Sequence, residues 1–336
     1  MTNEQPRVLL VGAGAVGQVF GHYLRSAGCA VTFLVKEKHA AQARAGFTLY
    51  ELGVRDRTPA PTPLSGFGVL ASEREVQKER WDQVWLCISS TALRSGDGVK
   101  KLAASTGDAT WVMLQPALDD REWLLRWIPA ERLVTGMIPF LAFHAPLTPE
   151  DALKGPGTAF WMPPLARGLF SGPSERLWPV LRTLRAGGYP AKEDADVTRA
   201  SSIPSAVLCA AVLGLEAEAW SFERLLRPEP LARTLGAARE AARIAEWATG
   251  ASPASVLPLF RPVLLKALLA LATRIAPVDL ETFLRVHFTK VGEQTRLMLR
   301  TYLSMGQSAG LGIHHLQALT PPDMSPPPNT PRAPRK

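Results

Sequence analysis

At 336 residues, 46% hydrophobic and 20% charged, the chain is long enough for two domains and apolar enough to give each a core. Its three cysteines, Cys29, Cys87 and Cys209, stand far apart without CxxC or His-paired spacing, which argues against a zinc site or disulfide scaffold and predicts no metal centre. The net charge of +8 comes from scattered arginines, with three cations in the last five residues alone; no aromatic-interleaved basic cluster accompanies it, so no nucleic-acid partner is expected, and attraction for an anionic cofactor or acid substrate accounts for it.

Taken in chain order, "RVLLV" reads as a short apolar strand, followed by "GAGAVG", a helical stretch to Gly28 and a second strand, "AVTFLV". "FTLYEL" and "FGVLAS" predict further short strands on either side of a Pro-rich link, Pro59 to Pro63. "WDQVWLCISS", "TWVMLQ" and "RLVTGMIPF" predict three more, with helices between them in "SGDGVKKLAAS" and "DDREWLLRWI". Strand alternating with helix means an α/β fold on a parallel sheet. From Asp196 the chain turns Ala/Leu-rich and helix-periodic. Gly250 is placed to cap "LARTLGAAREAARIAEWAT" at its C-terminus, and Asp279 to open one long helix through Gly306.

The expected architecture is a Rossmann-type parallel-sheet domain over residues 1–192, an all-helical substrate or dimerisation domain over 193–320, and a disordered Pro-rich tail over 321–336. The stretches "IPSAVLCAAVLGLEAEAW" and "VLPLFRPVLLKALLALATRIAP" are interrupted by Pro204 and Glu216 and by Arg261, Lys266 and Arg274. Both therefore read as core helices, not membrane spans, with a membrane-surface position as the alternative for the second; no membrane partner is expected. The opening "MTNEQPRVLLVGAG" lacks a signal-peptide pattern, and the expected location is cytoplasmic.

Gly12, Gly14 and Gly17 fit G-x-G-x-x-G directly between a strand and a helix. That context predicts a dinucleotide site: a tight turn at Gly12, close backbone approach at Gly14, and helix-to-sheet packing at Gly17. The loop Gly12, Ala13, Gly14, Ala15, Val16 and Gly17 would cradle a pyrophosphate on the helix N-terminus. After the second strand the sequence reads Val35-Lys36-Glu37. Lys36 suits a 2′-phosphate and so NADP(H), while Glu37 is the alternative ribose ligand of an NAD site. Ser89 and Ser90 end the apolar run "VWLCI", where an open sheet presents its strand ends to ligand. His144 follows "LAF" and could enter the same cleft, whereas His314 and His315 lie beyond the last helix. Lys290, near His287, is spaced to pair with Glu293 on the surface.

"LLVGAGAVGQVFGHYLRSAGCAVTFLVK", "DQVWLCISSTAL", "WVMLQPAL" and "LRAGGYPAKEDADV" together resemble the layout of the ketopantoate reductase (2-dehydropantoate 2-reductase) family over roughly residues 7–320. The resemblance implies two domains with the active site between them and hydride transfer from NADPH to the ketone of a small 2-oxo acid. It also implies a lysine general acid with an asparagine in the second domain, a lysine after the fourth strand, and an asparagine in an "LQNG"-like turn. A serine and a glutamate farther along would bind substrate. Here the post-strand lysine position holds Ser89, the turn reads Leu114-Gln115-Pro116-Ala117, and the second-domain pair aligns with Ser201 and Ser205. The glutamate position falls in "GQSAGLG", which has no acid. The chain thus reads as a divergent member without the family's catalytic lysine. Ser201, Ser205 and Ser89 are the candidate catalytic residues, and Ser89 and Gln115 join the loop and Lys36 as candidate cofactor contacts. The expected activity is NADPH-dependent reduction of a small carbonyl compound other than ketopantoate, by a chain able to form homodimers through its helical domain. The rival expectations are a non-catalytic NADP(H)-binding protein and a non-redox enzyme on the same fold.

Overall fold

The computed structural model describes residues 5–54, 56–149, 153, 155–256 and 260–324. The chain begins β1 (Arg7–Val11), α1 (Ala15–Ser26), β2 (Ala30–Leu34), α2 (Glu37–Arg44), β3 (Phe47–Glu51), β4 (Thr62–Leu64), β5 (Gly68–Leu70) and α3 (Glu73–Val76). It continues β6 (Gln83–Leu86), α4 (Ser90–Leu93), α5 (Gly98–Ser105), β7 (Thr110–Met113), α6 (Asp120–Leu124), β8 (Leu133–Gly136), β9 (Leu141–Ala145), β10 (Gly157–Trp161), β11 (Gly168–Ser171), α7 (Ser174–Ala186) and β12 (Ala191–Glu193). Helices follow: α8 (Val197–Ala217), α9 (Phe222–Leu225), α10 (Pro228–Thr249), α11 (Pro262–Ile275), α12 (Leu280–Lys290), α13 (Gly292–Ser308) and α14 (His314–Ala318).

The main sheet has the order β12-β11-β8-β7-β6-β1-β2-β5. It is parallel from β5 to β8, and β11 joins β8 antiparallel. Every residue of β6, β7 and β8 is buried, as a sheet covered on both faces requires. One face packs Trp85, Val112 and Val134 on α1 and α7; the other packs Val84, Trp111 and Leu133 against Val99, Leu124 and Ile128. The chain leaves β1 toward β2 and returns on the other side at β6, so the strand order reverses between β1 and β6. A crevice opens at such a reversal beyond the carboxyl ends of the strands.

Four strands expected to be part of that sheet or of loops form a second one, ordered β4-β3-β10-β9. "FTLYEL" belongs here, the Pro-rich link contributes β4, and His144 lies within β9. Ala142 and Phe160 on one face of this small sheet join the core of α1, whereas Phe143 and Trp161 on the other meet Phe283 of α12. Alternation along β9 and β10 gives each face its own partner.

The helical part has its core in α8, α10, α13 and α14, around Leu213, Ala238, Leu299 and Leu316. By length and composition α8 could cross a membrane, but half of its apolar window is buried inside the protein. The second stretch expected as a core helix is not one: α11 has no buried residue, and Val263, Leu264, Leu268 and Leu271 are exposed. The single long helix opened by Asp279 is two helices, because Val291 leaves helical geometry (φ −105°, ψ 22°) just before Gly292. Glycine tolerates such a break and gains little from continuing a helix. Residues 321–324, expected to belong to a disordered tail, are placed against the helical part. Pro321 is buried, residues 322–324 form a 3₁₀ turn, and Asp323 pairs with Arg296 at 3.2 Å. Residues 325–336 lie outside the described residues.

Candidate functional site

The crevice is built by the glycine loop and the β6–α4 turn. Gly12 has φ +99°, and a Cβ there would stand 2.9 Å from the Cys87 carbonyl oxygen. On Gly17 a Cβ would lie 2.2 Å from the Gly12 carbonyl oxygen, so no larger residue lets α1 approach this closely. Gly14 faces open space, where a Cβ would meet nothing within 4 Å. The loop is held by Gly12 N–H donating to Leu34 O (2.9 Å) and by the buried Gln18 amide donating to Ala13 O (2.9 Å). Gly14 is the N-cap of α1 without a side-chain cap, and no acid lies in the first turn. The amides of Ala15 and Val16 therefore open a helix that lacks a competing carboxylate, and they complement an anion. These residues fit the pyrophosphate of a dinucleotide.

Lys36, the N-cap of α2, is exposed, as is Glu37 in the first turn. Both stand just past the end of β2, where the second ribose of a dinucleotide is read.

The serines after β6 have different duties. Ser89 caps α4: its Oγ accepts from Ala92 N–H (3.1 Å) and bonds Thr91 Oγ1 (2.9 Å). Ser90 is fully buried and donates from Oγ to Asp120 Oδ2 at 2.7 Å. Asp120, also fully buried, accepts from Ala117 N–H (2.7 Å) and from Arg94, whose guanidinium additionally donates to Ser90 O (3.1 Å). Burial pushes the Asp120 carboxyl up, against the opposing pull of Arg94, Ser90 and Ala117. The Ser90 N–H donates to Gln294 Oε1 at 3.0 Å, so this cluster ties the sheet to α13. Sequence reasoning missed Arg94, Asp120 and Gln294. The one signal was the spacing of Ser90 and Arg94, a single helical turn apart before the acidic "LDDRE".

Gln115 closes the strand ends. Its amide nitrogen donates to Leu86 O (2.9 Å) and Ile88 O (2.7 Å), and its oxygen accepts from Leu114 N–H (3.1 Å). Gln115, Pro116, Thr135, Thr198 and Ser201 line a narrow cleft beside this turn. The Ser201 hydroxyl donates to Val197 O, one turn back on α8, at 2.7 Å. Gln115 and Ser201 are thus brought together, but Ser89 and the half-buried Ser205 do not line the cleft. Through Leu118, Arg121, Thr135 and Thr198 the cleft continues into a cavity of about 800 Å³ between α6 and α8.

The histidines lie elsewhere. His144 and His287 are both held below the usual imidazole range by burial and then by Lys290. Among the described residues Lys290 has no ion pair with Glu293; burial lowers the Lys290 ammonium instead. His314 and His315, expected beyond the last helix, stand in the first turn of α14, where His315 Nδ1 meets Glu240 Oε1 at 2.9 Å. All three cysteines are free, and burial pushes the Cys29 thiol up to about 11 and Cys209 to about 12, which keeps them protonated. Among the described residues no group of three His, Cys, Asp or Glu side chains could hold a metal ion.

Residues 8–149 match the family model described as ketopantoate reductase PanE/ApbA. No curated protein is similar to the chain in sequence. A PanE/ApbA family ketopantoate reductase from Ralstonia eutropha JMP134 superposes with a TM-score of 0.70 at 17% identity, covering 93% of this chain and 95% of that one. The 2-dehydropantoate 2-reductase from Geobacter metallireducens GS-15 gives 0.67 at 19% identity, covering 93% and 97%. A ternary structure of D-mandelate dehydrogenase with NADH and anilino(oxo)acetate gives 0.69 at 13% identity, covering 93% and 95%. Residues 8–149 thus match the ketopantoate reductase PanE/ApbA family model, and the chain as a whole has the fold of solved ketopantoate reductases.

Proposed function

We propose that the protein is an NADPH-dependent oxidoreductase of the ketopantoate reductase type, reducing a 2-oxo acid-like carbonyl compound other than ketopantoate. The observation that carries this reading is the continuity of two features. A glycine cradle with an uncapped helix N-terminus stands at the sheet's reversal point, and a cleft lined by Gln115, Pro116 and Ser201 adjoins the same strand ends. When bound, the nicotinamide cofactor supplies the hydride. Gly12, Gly14 and the first amides of α1 hold its pyrophosphate, and Lys36 takes the 2′-phosphate in place of the acid an NAD site uses. The fold's occurrence in a D-mandelate dehydrogenase holding NADH and a 2-oxo acid-type ligand supports a nicotinamide partner and a 2-oxo acid class.

Acidity and charge in the cleft count against ketopantoate. No lysine lines the cleft among the described residues, and a neutral serine hydroxyl is too weak an acid to protonate a developing alkoxide directly. Ser201 spends its proton on Val197 O, so its role is to accept and orient, with water as proton source. The same observation favours a second reading, a non-catalytic NADP(H)-binding protein.

A stopped assay of NADPH oxidation against a carbonyl library, run beside equilibrium binding of NADPH, separates the two. Turnover of any 2-oxo acid supports the reductase; tight binding without turnover across the library supports the second reading. Ketopantoate turnover on the order of 10 per second would overturn the excluded substrate. Lys36→Ala is expected to weaken NADPH binding about ten- to hundredfold through one lost charge-assisted contact, leaving NADH nearly unchanged. Equal wild-type affinity for the two cofactors would instead assign the ribose to Glu37.

A further inference from the structure

Arg121 sits where the narrow cleft opens into the wide cavity, and it lines both. Among the described residues it is the only charged one lining the narrow part, beside Gln115, Pro116 and Ser201. Its half-buried guanidinium makes no ion pair or side-chain hydrogen bond with the described residues. Of the carboxylates flanking it in sequence, Asp119 and Asp120 are both paired with Arg94, and Glu122 is a lining residue of the wide cavity that forms no ion pair with Arg121 among the described residues. A guanidinium offers five donors in a planar fork that matches a carboxylate in two-point fashion. The wide part has the opposite character: Glu122, Glu131 and Asp196 line it together with Arg199, and Asp196 already caps α8 by accepting from Arg199 N–H. Charge along the cavity is therefore graded, with an unpaired cation at the strand-end mouth and carboxylates outnumbering cations beyond it.

We propose that Arg121 is the carboxylate anchor of this site, and that its substrate is a 2-oxo acid with a long tail carrying hydrogen-bond donors or positive charge. This inference rests on the reductase reading above and widens the small substrate expected from sequence. A cavity of about 800 Å³ lies within the roughly 300–1,000 Å³ range that encloses ligands of drug size, far more room than a short branched acid fills. With its carboxylate on Arg121, the neighbouring carbonyl comes to the Gln115–Pro116 turn and Ser201, and the tail runs between α6 and α8 toward Glu131. Arg121 remains charged at every working pH, so it stabilises negative charge on substrate and does not serve as the proton donor.

The test is calorimetric titration of the NADP⁺-loaded full-length protein, in which no hydride can be delivered, with 2-oxobutanoate, indole-3-pyruvate and 5-guanidino-2-oxopentanoate. The long acids should bind more tightly than 2-oxobutanoate, with the guanidino acid tightest. Arg121→Gln should weaken all three about ten- to hundredfold, while the NADP⁺ affinity and melting temperature stay at wild-type values. Arg121→Lys should recover part of the loss. Glu131→Gln should reduce only the advantage of the guanidino acid. Wild-type binding of all three acids by Arg121→Gln, or no 2-oxo acid binding by the wild type, overturns the assignment. Absence of NADP⁺ binding would sink the cofactor reading instead. The same titrations on the unloaded protein would then still decide whether Arg121 holds the acids.

Discussion

Asp120 shows how much of the site depends on single buried charges. It is enclosed, takes three hydrogen bonds, and offsets Arg94, whose side chain is only 16% exposed. Removing the Asp120 carboxylate leaves the Ser90 Oγ–H and the Ala117 N–H without an acceptor and Arg94 with Asp119 alone at 2.9 Å, a loss near the lower end of the roughly 3–5 kcal/mol that breaking a buried pair costs. Asp120→Ala should therefore lower the urea midpoint strongly and disorder the Ser90–Gln294 link. An unchanged midpoint would mean that water replaces the carboxylate. The glycine fingerprint was legible because its residues answer to local backbone geometry: Gly12 must turn with positive φ, and Gly17 must admit a carbonyl oxygen. The serines were less legible. A hydroxyl after a strand or on a helix is equally suited to ligand, cap or backbone, and Ser89 and Ser201 make local bonds within their own helices that sequence spacing alone does not rank.

At the scale of elements, caps were read correctly from sequence because they depend on residues within one turn. Asp279 caps α12 by accepting from Thr282 N–H at 2.8 Å, and Gly250 ends α10 in the left-handed region at φ +65°. Gly250→Ala should cost about 1–2 kcal/mol, the strain of that conformation for a residue with Cβ; denaturant titration would detect it. The junction of α10 with α14 carries a pH dependence. Burial works against the Glu240 carboxylate, but donation from His315 N–H, Leu316 N–H and the His315 ring outweighs it and holds Glu240 below the usual carboxylate range. A lowered folded-state pKa adds stability that is present above the unfolded value near 4.5 and is lost as pH falls through the folded value. Wild type should thus lose more stability than Glu240→Gln between pH 6 and pH 3.5. Parallel urea midpoints over that interval would remove Glu240 from the acid response.

For the whole molecule, the end of the chain gives the most direct test. Truncation after Met324 should leave melting unchanged. Truncation after Thr320 removes the buried Pro321, the Met324 contact with the helical core and the Asp323–Arg296 pair, and should cost about 1–3 kcal/mol. A thermal melt of both variants distinguishes the packed turn from the remaining residues. By itself the sequence determined the alternation of strand and helix, the dinucleotide cradle, the helical second half and the helix caps. Each rests on periodicity or on contacts within a few residues, and backbone sterics enforce those wherever the chain is placed. Tertiary structure alone decided that β3, β4, β9 and β10 leave the main sheet to cover α1. It also joined Ser90, Arg94 and Asp120 to Gln294 some two hundred residues away, and left Arg121 at the mouth of the cavity without a side-chain partner among the described residues. Those outcomes depend on which apolar faces and which charges meet after long loops close, and no local pattern in the chain encodes that choice.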